Sequence, residues 1–342
     1  MKQYVTDCEG PVSLNDNAME LAVAFIPNGE NFFVKLSRYD DYLADIVKKP
    51  GYKAGDTLRL IVPFFKAYGV TAAKMDDFSR QHVLLVPGAA DVLRHIGANM
   101  RAFIISTSYD PYIKALCAEI GFPVDHTYST AIDIDHYALD LAEAARLRQI
   151  KQEIDDLPDY DLPVDAHSFD DLASEAQATV SRLESVFWEE LNGTQAGAML
   201  TAVNPVGGRD KARALSNSLE RTGVRLRDVI YAGDSITDVQ AFEAVKQGGG
   251  LAVSFNGNRY AIDAANVAVY GEDAAILGLI ADAFIKGGKD AVYVLLRDLS
   301  INIMNEIKLR GAHVISDADR DMIIKESEEV RRDIRGMAGE VG

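Results

Sequence analysis

The chain has 342 residues, of which 48% are hydrophobic and 25% are charged, a composition typical of soluble globular proteins. Its 35 basic and 52 acidic residues give a formal net charge of −17, which argues against nucleic acid or an anionic membrane surface as a partner. The length predicts two domains, or one domain with large insertions.

Cysteine usage and hydropathy indicate the compartment. The two cysteines, Cys8 and Cys117, are too few for a disulfide framework, and no CxxC motif is present, which fits a reducing compartment. The first residues, "MKQYVTDCEG", lack the charged and apolar regions of a signal peptide. The apolar run "LRLIVPFF" at 58–65 is too short to span a bilayer. We therefore expect a cytoplasmic protein.

The first part of the chain divides into one strand and one helical block. Residues 3–7 show a short apolar strand pattern, and Gly10 and Pro11 then break the chain. Residues 16–87 show apolar residues three to four apart in stretches separated by glycine and proline. This pattern predicts a small bundle of about four helices.

Strand and helix patterns alternate in the remainder of the chain. A helix in "VPGAADVLRHIG" precedes a buried strand, "RAFIIS" at 101–106, and a helix in "YDPYIKALCAEIGF" follows it. Residues 130–195 form a second, acidic helical insert. Strands are then predicted at 196–203 and in "RDVIYAG", "GLAVSF" and "ANVAVY", with helices in "GRDKARALSNSLERTG" and "DSITDVQAFEAVKQ". The tail shows helical patterns alone.

This alternation predicts an α/β fold built on a Rossmann-like doubly wound parallel sheet. We expect the core to comprise residues 1–15, 88–129 and 196–282. Residues 16–87 are expected to form a helical cap inserted after the first strand. A second helical insert is expected at 130–195, and a helical C-terminal extension at 283–342.

Polar residues collect where the predicted strands end. They comprise carboxylates, hydroxyls and a lysine at a helix start, namely Asp7, Glu9, Ser106, Thr107, Ser108, Lys211, Asp234 and Asp238. Ligands of doubly wound sheets bind at the carboxyl ends of the strands. Carboxylates there can hold a hard cation such as Mg²⁺, while a hydroxyl and a lysine can neutralise phosphate oxygens. The set predicts phosphoryl chemistry.

In order and spacing these residues resemble the four motifs of the haloacid dehalogenase superfamily, within it the phosphoserine-phosphatase-like branch. The matching segments are Asp7-Cys8-Glu9, "FIISTSY", Lys211 and "AGDSITD". The likeness covers roughly residues 1–15, 86–125 and 205–270. The second acid of the first motif is usually aspartate in this superfamily and is Glu9 here.

The resemblance implies a phosphatase that works through an aspartyl-phosphate. Asp7 would attack phosphorus, and Glu9 would protonate the leaving alkoxide and then activate water. Lys211 would bridge Asp7 and the phosphate.

The resemblance also implies which residues bind the phosphate and the metal. Ser106, with Thr107 as its rival, and the backbone amides of the loop at 8–11, Gly10 included, would hold the phosphate. The Mg²⁺ ligands would be Asp7, the backbone carbonyl of Glu9, Asp234 and Asp238.

The helical cap is expected to close over the site and to select the substrate, by default a small phosphorylated metabolite. Within the cap, Lys35 and Arg38 are candidate substrate contacts on charge alone. The tail segment "AVYVLLRDLSINIMNEI" has apolar spacing that fits packing on the core or on a second copy of the chain. A homodimer, or association with a larger complex, therefore stays open.

Two other functions stay open as well. The whole-chain pattern is similar to archaeal members of the superfamily that have no assigned substrate, and some relatives carry the name of a hydrogenase-associated subunit. That likeness implies an accessory or regulatory subunit with little activity. A phosphotransferase would use the same Asp7 with an acceptor other than water.

Overall fold

The computed structural model describes residues 1–163 and 165–339, so Val164 of the second insert and residues 340–342 of the C-terminal extension lie outside the described residues. The strands are β1 (Gln3–Thr6), β2 (Arg101–Tyr109), β3 (Thr127–Thr130), β4 (Val229–Gly233), β5 (Leu251–Phe255), β6 (Val267–Gly271) and β7 (Leu309–Val314). The α-helices are α1 (Asn17–Phe25), α2 (Gly29–Asp41), α3 (Thr57–Ala67), α4 (Ala72–Gln81), α5 (Ala89–Asn99), α6 (Asp110–Ile120), α7 (Leu141–Asp155), α8 (Ser174–Ser185), α9 (Gln195–Ala202), α10 (Arg209–Thr222), α11 (Val239–Gln247), α12 (Arg259–Ala264), α13 (Ala275–Asp298), α14 (Ile301–Glu306) and α15 (Arg320–Arg335).

The strands of the described ranges form one sheet in the order β3-β2-β1-β4-β5-β6-β7. Neighbouring strands run parallel except for β6 and β7. β1 lies between β2 and β4, with Thr6 opposite Ile104 and Ala232. The strand order therefore reverses at β1, which creates a crevice at the carboxyl ends of β1 and β4. The Rossmann-like doubly wound sheet predicted from the sequence is confirmed.

Helices cover both faces of the sheet. Successive side chains of a strand point to opposite faces, so each strand contributes to both packed layers. In β1, Tyr4 packs in the apolar cluster that contains α5, α6 and α13, whereas Val5 packs with α10, α11 and α12. This explains why the central strands are nearly continuous apolar runs.

The two helical inserts share one apolar core. The buried side chains of α1, α2 and α3 form a single cluster with those of α7, α8 and α9. Phe64 of α3 lies 4.8 Å from Phe32 of α2 and 6.3 Å from Phe187 of the second insert, measured between ring centroids. The inserts therefore pack as one cap above the sheet.

The first insert leaves and rejoins the core through neighbouring segments. The Leu14 amide donates to the Leu84 carbonyl, and the Val86 amide donates to the Val12 carbonyl, both at 2.9 Å. The helix that follows the outgoing segment begins after Asp16, whose side chain accepts from the Met19 amide at 3.0 Å. These bonds hold the base of the cap next to the end of β1.

Residues 196–203 were predicted as a strand, and that prediction is wrong. All but the last of them lie in α9, which begins after Thr194, and the Thr194 hydroxyl accepts from the Gly197 amide at 3.1 Å. Ala196 and Met199 are buried in the cap core. A short apolar run has no clear periodicity, and its alanine, methionine and leucine favour a helix.

The prediction of a purely helical C-terminal extension is also wrong. β7 lies within it and pairs antiparallel with β6, with Ala268 opposite His313. The strand adds to the open edge of a sheet formed by earlier residues, a tertiary contact that local periodicity does not report.

The longest described helix, α13, spans 24 residues, but its backbone leaves the helical conformation at Gly287 and Gly288. It packs against α5 on one face of the sheet. None of the helices in the described ranges has the length and apolarity needed to cross a bilayer.

Candidate active site

Asp7 lies at the carboxyl end of β1, in the crevice where the strand order reverses. Its amide continues the sheet by donating to the Ala232 carbonyl at 2.8 Å. Its side chain is buried, and Oδ1 accepts from the Cys8 amide at 2.6 Å. Oδ2 accepts from Lys211 Nζ at 2.5 Å. Both carboxylate oxygens are thus held in place by the protein.

Helix α10 begins directly after Gly207 and Gly208. Lys211 lies in its first turn and is fully buried. Its Nζ also lies 2.8 Å from Asp238 Oδ1. Burial acts to lower the pKa of Lys211, but the charges of Asp238 and Asp7 outweigh burial and raise it. The ammonium group therefore stays charged between the two carboxylates.

Asp234 and Asp238 follow β4. Asp238 Oδ2 accepts from the amides of Asp234 and Ser235 at 3.0 and 3.3 Å, and the Tyr231 hydroxyl donates to Oδ1 at 3.0 Å. Asp238 is therefore a fixed acceptor at the start of a helical turn, where a carboxylate is favoured.

Three of the predicted metal ligands come together. Asp7, Asp234 and Asp238 are all buried, and one carboxylate oxygen from each lies within 4.8 Å of the others. Buried carboxylate oxygens are the hard donors that Mg²⁺ prefers. Asp234 already binds cationic groups, because Arg331 Nη1 and Arg335 Nη1 both contact its Oδ2. The donor set therefore fits a divalent cation.

Glu9 lies beside this cluster. Its Oε1 accepts from the Ser108 hydroxyl at 2.7 Å and from the Asn17 amide at 3.1 Å, so it joins the core to the start of α1. Burial, and next the charge of Asp16, raise the pKa of Glu9 to about 7.

The hydroxyl groups at the end of β2 differ in how they face the cavity. Ser106 is fully buried, and its Oγ accepts from the Ser108 amide at 3.1 Å, whereas Thr107 and Ser108 line the cavity beside Asp7. β2 continues to Tyr109, so Ser106 lies inside the strand rather than at its end. The hydroxyl-bearing side chains that line the cavity are thus those of Thr107 and Ser108, and the assignment of Ser106 to the phosphate stays a prediction.

The loop amides are also engaged elsewhere. The Gly10 amide donates to the Ser13 carbonyl at 2.8 Å, and the Cys8 amide donates to Asp7. The Gly10 amide therefore already has an acceptor within the loop, and its contact with a phosphate stays a prediction. Gly10 allows the Asp234 carboxylate to lie close to the loop backbone. Its φ is +92°, and a Cβ there would lie 2.2 Å from Asp234 Oδ2.

A cavity of about 80 Å³ lies in front of these residues. Its walls come from three parts of the chain, namely the strand ends (Asp7, Glu9, Thr107, Ser108, Asp234, Ser235, Ile236 and Thr237), the first helical insert (Asp16, Ala18, Phe33, Ser37, Asp40, Asp41, Gly55, Thr57 and Leu58) and α15 (Arg331 and Arg335). The cavity has room for a small group.

The two cationic cap residues singled out on charge do not line this cavity. Lys35 is buried, and its Nζ donates to the carbonyls of Asp155 and Leu157 at 3.0 and 2.6 Å. Arg38 donates to the Tyr160 carbonyl and pairs with Asp161 at 3.0 Å. Both join the first insert to the second, so their prediction as substrate contacts is wrong.

Sequence reasoning missed the two arginines of α15. The guanidinium of Arg331 is buried against Asp234, more than ninety positions away in sequence. The segment "EEVRRDIR" is typical of a solvated amphipathic helix. The four-residue spacing of Arg331 and Arg335, which places both on one face of a helix, was the one available signal.

No protein-family model and no curated protein matches the sequence. Among solved structures, the gene product AF1437 from Archaeoglobus fulgidus is similar over 100% of this chain and 99% of its own, with 28% sequence identity and a TM-score of 0.85. A substrate-bound phosphoserine phosphatase complex is similar over 81% of this chain and 96% of its own, with 14% identity and a TM-score of 0.50. The second likeness concerns the fold.

The fold of the chain and the positions of its four sequence motifs point to the same class of protein. The chain has the fold of a phosphoserine phosphatase, and its crevice brings together the residues of the first, third and fourth motifs, Asp7, Lys211 and Asp234 with Asp238. The second motif runs through the same wall of the cavity at Thr107 and Ser108. The chain thus has the fold of a phosphoserine phosphatase, and its motifs resemble those of the haloacid dehalogenase superfamily.

Proposed function

We propose that the chain is a Mg²⁺-dependent phosphatase that hydrolyses a small phosphate monoester through an aspartyl-phosphate on Asp7. One observation carries the proposal: a buried carboxylate at a strand end, paired with a buried lysine, opens onto a small cavity shared with a second acid, Glu9. Carboxylate nucleophiles with a neighbouring acid–base group form covalent intermediates of this kind.

In the first step a carboxylate oxygen of Asp7 attacks phosphorus. The bond from phosphorus to the ester oxygen breaks, and the leaving alkoxide takes a proton from Glu9. Lys211 holds Asp7 in position through its ion pair and neutralises charge next to the reacting carboxylate. Thr107 and Ser108 line the cavity beside Asp7, where their hydroxyls donate to the Val206 carbonyl and to Glu9.

In the second step Glu9, now ionised, takes a proton from water. The water oxygen attacks phosphorus, the bond from phosphorus to Asp7 breaks, and inorganic phosphate leaves. The hydrogen bonds from Ser108 and the Asn17 amide fix the carboxyl group of Glu9 beside the cavity.

Asp7 and Asp234, with the backbone carbonyl of Glu9, would hold the Mg²⁺ ion, and Asp238 would support the site. When bound, the cation offsets the repulsion between the carboxylates and an incoming phosphate dianion.

The test is phosphate release from a broad panel of phosphomonoesters, phosphoserine and sugar phosphates included, with and without Mg²⁺. Wild type and Asp125→Asn, a change at an exposed acid, should release phosphate, and Asp7→Asn should release none. Activity in Asp7→Asn, or no release from any ester, would contradict the proposal. Transfer of phosphate to an added alcohol at the expense of water would indicate a phosphotransferase instead.

A further inference from the structure

Helix α15 delivers two guanidinium groups to the proposed metal ligand Asp234. Arg331 is 3% exposed, and its Nη1 donates to Oδ2 of Asp234 and to the Asp234 carbonyl, the latter at 3.1 Å. Arg335 Nη1 lies 3.1 Å from the same Oδ2. One carboxylate oxygen of this candidate metal ligand therefore accepts from two arginines.

Both arginines are also held from their other side. Arg335 donates through Nη2 to the Asn15 carbonyl at 2.8 Å and through Nε to the Leu14 carbonyl at 3.2 Å. Arg331 donates through Nε to the Gly339 carbonyl at 2.9 Å. These bonds do not involve Asp234, so either guanidinium can leave the carboxylate and stay at the cavity.

The charges around the cavity indicate what would displace them. Asp7, Asp234 and Asp238 oppose Lys211, Arg331 and Arg335 in direct ion pairs, which balances three negative groups against three positive ones. A divalent cation alone adds two positive charges to a buried site, and a phosphate dianion alone adds two negative charges. Uncompensated buried charge is costly, so a dication and a phosphate dianion that bind together disturb these ion pairs less than either one alone.

We propose that Arg331 and Arg335 compete with the divalent cation for Asp234 and, once displaced, bind the phosphate group of the substrate. The cation and the anionic substrate then strengthen each other's binding. This deepens the proposed function and rests on it. The two guanidinium groups line the same 80 Å³ cavity as Asp7, and a guanidinium can bind two phosphate oxygens at once.

The test measures Mg²⁺ binding by isothermal titration calorimetry, without substrate and with or without inorganic phosphate. In wild type, phosphate should tighten Mg²⁺ binding by about tenfold, within the range common for coupled sites. Arg331→Gln should bind Mg²⁺ about tenfold more tightly without phosphate and should lose most of the phosphate effect. Arg332→Gln changes the exposed neighbour on the same helix and should behave like wild type.

Two results would overturn the proposal. The first is identical Mg²⁺ binding in Arg331→Gln and wild type under both conditions. The second is a folded Arg331→Gln protein that binds no Mg²⁺, which would make Arg331 a residue that only positions Asp234. If Arg331→Gln does not fold, Arg335→Gln takes its place with the same expected direction and the same two contrary results.

Failure of this proposal and failure of the phosphatase proposal can be told apart. The titration needs no turnover, so coupled binding is measurable even if no ester is hydrolysed. An active phosphatase whose Mg²⁺ binding is the same in wild type and in Arg331→Gln would overturn the competition alone.

Discussion

Lys211 Nζ lies 2.5 Å from Asp7 Oδ2 and 2.8 Å from Asp238 Oδ1, so one buried cation joins the ends of β1 and β4. Neither carboxylate pairs with a cationic side chain from β1 or β4. The ion pair therefore joins the two sides of the crevice, and under the proposed function it also holds Asp7 in position for reaction.

We expect Lys211→Met to abolish phosphate release and to destabilise the protein by about 3–5 kcal/mol, because two buried carboxylates lose their shared partner. Urea unfolding measures the second effect. The control is Arg213→Met on the same helix, whose side chain is 82% exposed and should cost less than about 1 kcal/mol. Equal stabilities of the two variants would contradict the role given to Lys211.

Glu9→Gln should lower the turnover rate by about 10²–10⁴-fold, because the amide can neither give nor take the required proton. With an aryl phosphate, whose leaving group needs no acid, the first step should persist and labelled phosphoenzyme should accumulate. Rapid acid quenching measures it. The control is Glu20→Gln, a nearby acid that binds Asn15. An unchanged rate in Glu9→Gln would assign the acid–base role elsewhere.

Gly10→Ala should destroy Mg²⁺ binding, because the added Cβ would lie 2.2 Å from Asp234 Oδ2. The control is Gly51→Ala, where φ is +82° against +92° at Gly10 but no atom lies within 4 Å of the added Cβ. Both variants carry the backbone strain of a positive φ, about 1–2 kcal/mol. If both bind Mg²⁺ equally, Gly10 has no part in shaping the metal site.

Asp40→Asn should stabilise the protein at pH 8, and this gain should shrink as the pH falls and vanish below about pH 4. Burial, and next the charge of Asp56, raise the pKa of Asp40 from 3.8 to about 7. Since the folded state favours the protonated form, stability is lost as the pH rises between these values. At about 1.4 kcal/mol per pKa unit the gain at pH 8 is at most on the order of 4 kcal/mol.

Thermal unfolding of Asp40→Asn and wild type across this range measures the effect, with the exposed Asp125→Asn as the control. The Gly55 amide, 2.8 Å from Asp40 Oδ2, keeps an acceptor in the amide variant. A stability difference that does not change with pH would show that Asp40 has the same protonation in both states.

Chelation should stop phosphate release, and added Mg²⁺ should restore it. Asp234→Asn should need a higher Mg²⁺ concentration for half-maximal rate, because it removes one charged ligand. Turnover that is unaffected by chelation would exclude Asp7, Asp234 and Asp238 as a functional metal site.

The parts of the site that follow from local pattern were predictable. β1 and β4 are short apolar runs followed by acids, and a doubly wound sheet brings such strand ends together, so Asp7 and Asp234 could be paired from sequence. Lys211 could be placed because Gly207 and Gly208 mark the start of its helix. In each case the signal lies within a few residues of the functional group.

The parts that depend on tertiary contacts were not predictable. Lys35 has the charge of a surface residue, and its burial between the two inserts depends on carbonyl groups about 120 positions away. The strand was predicted to end at Ser106, whereas β2 continues for three more residues, to Tyr109. Arg331 was missed because a charged helix face is usually solvated, and sequence spacing does not show which one is covered.

The contact between Arg335 and the Asn15 carbonyl spans 320 positions of the chain. A ribosome therefore releases Asp7, the cap and Asp234 long before it releases α15. Until then Asp234 lacks both of its arginine partners, and a nascent or prematurely terminated chain carries an unneutralised acid in its crevice. Charge balance in the crevice thus requires that α15 has been synthesised and has folded against Asp234.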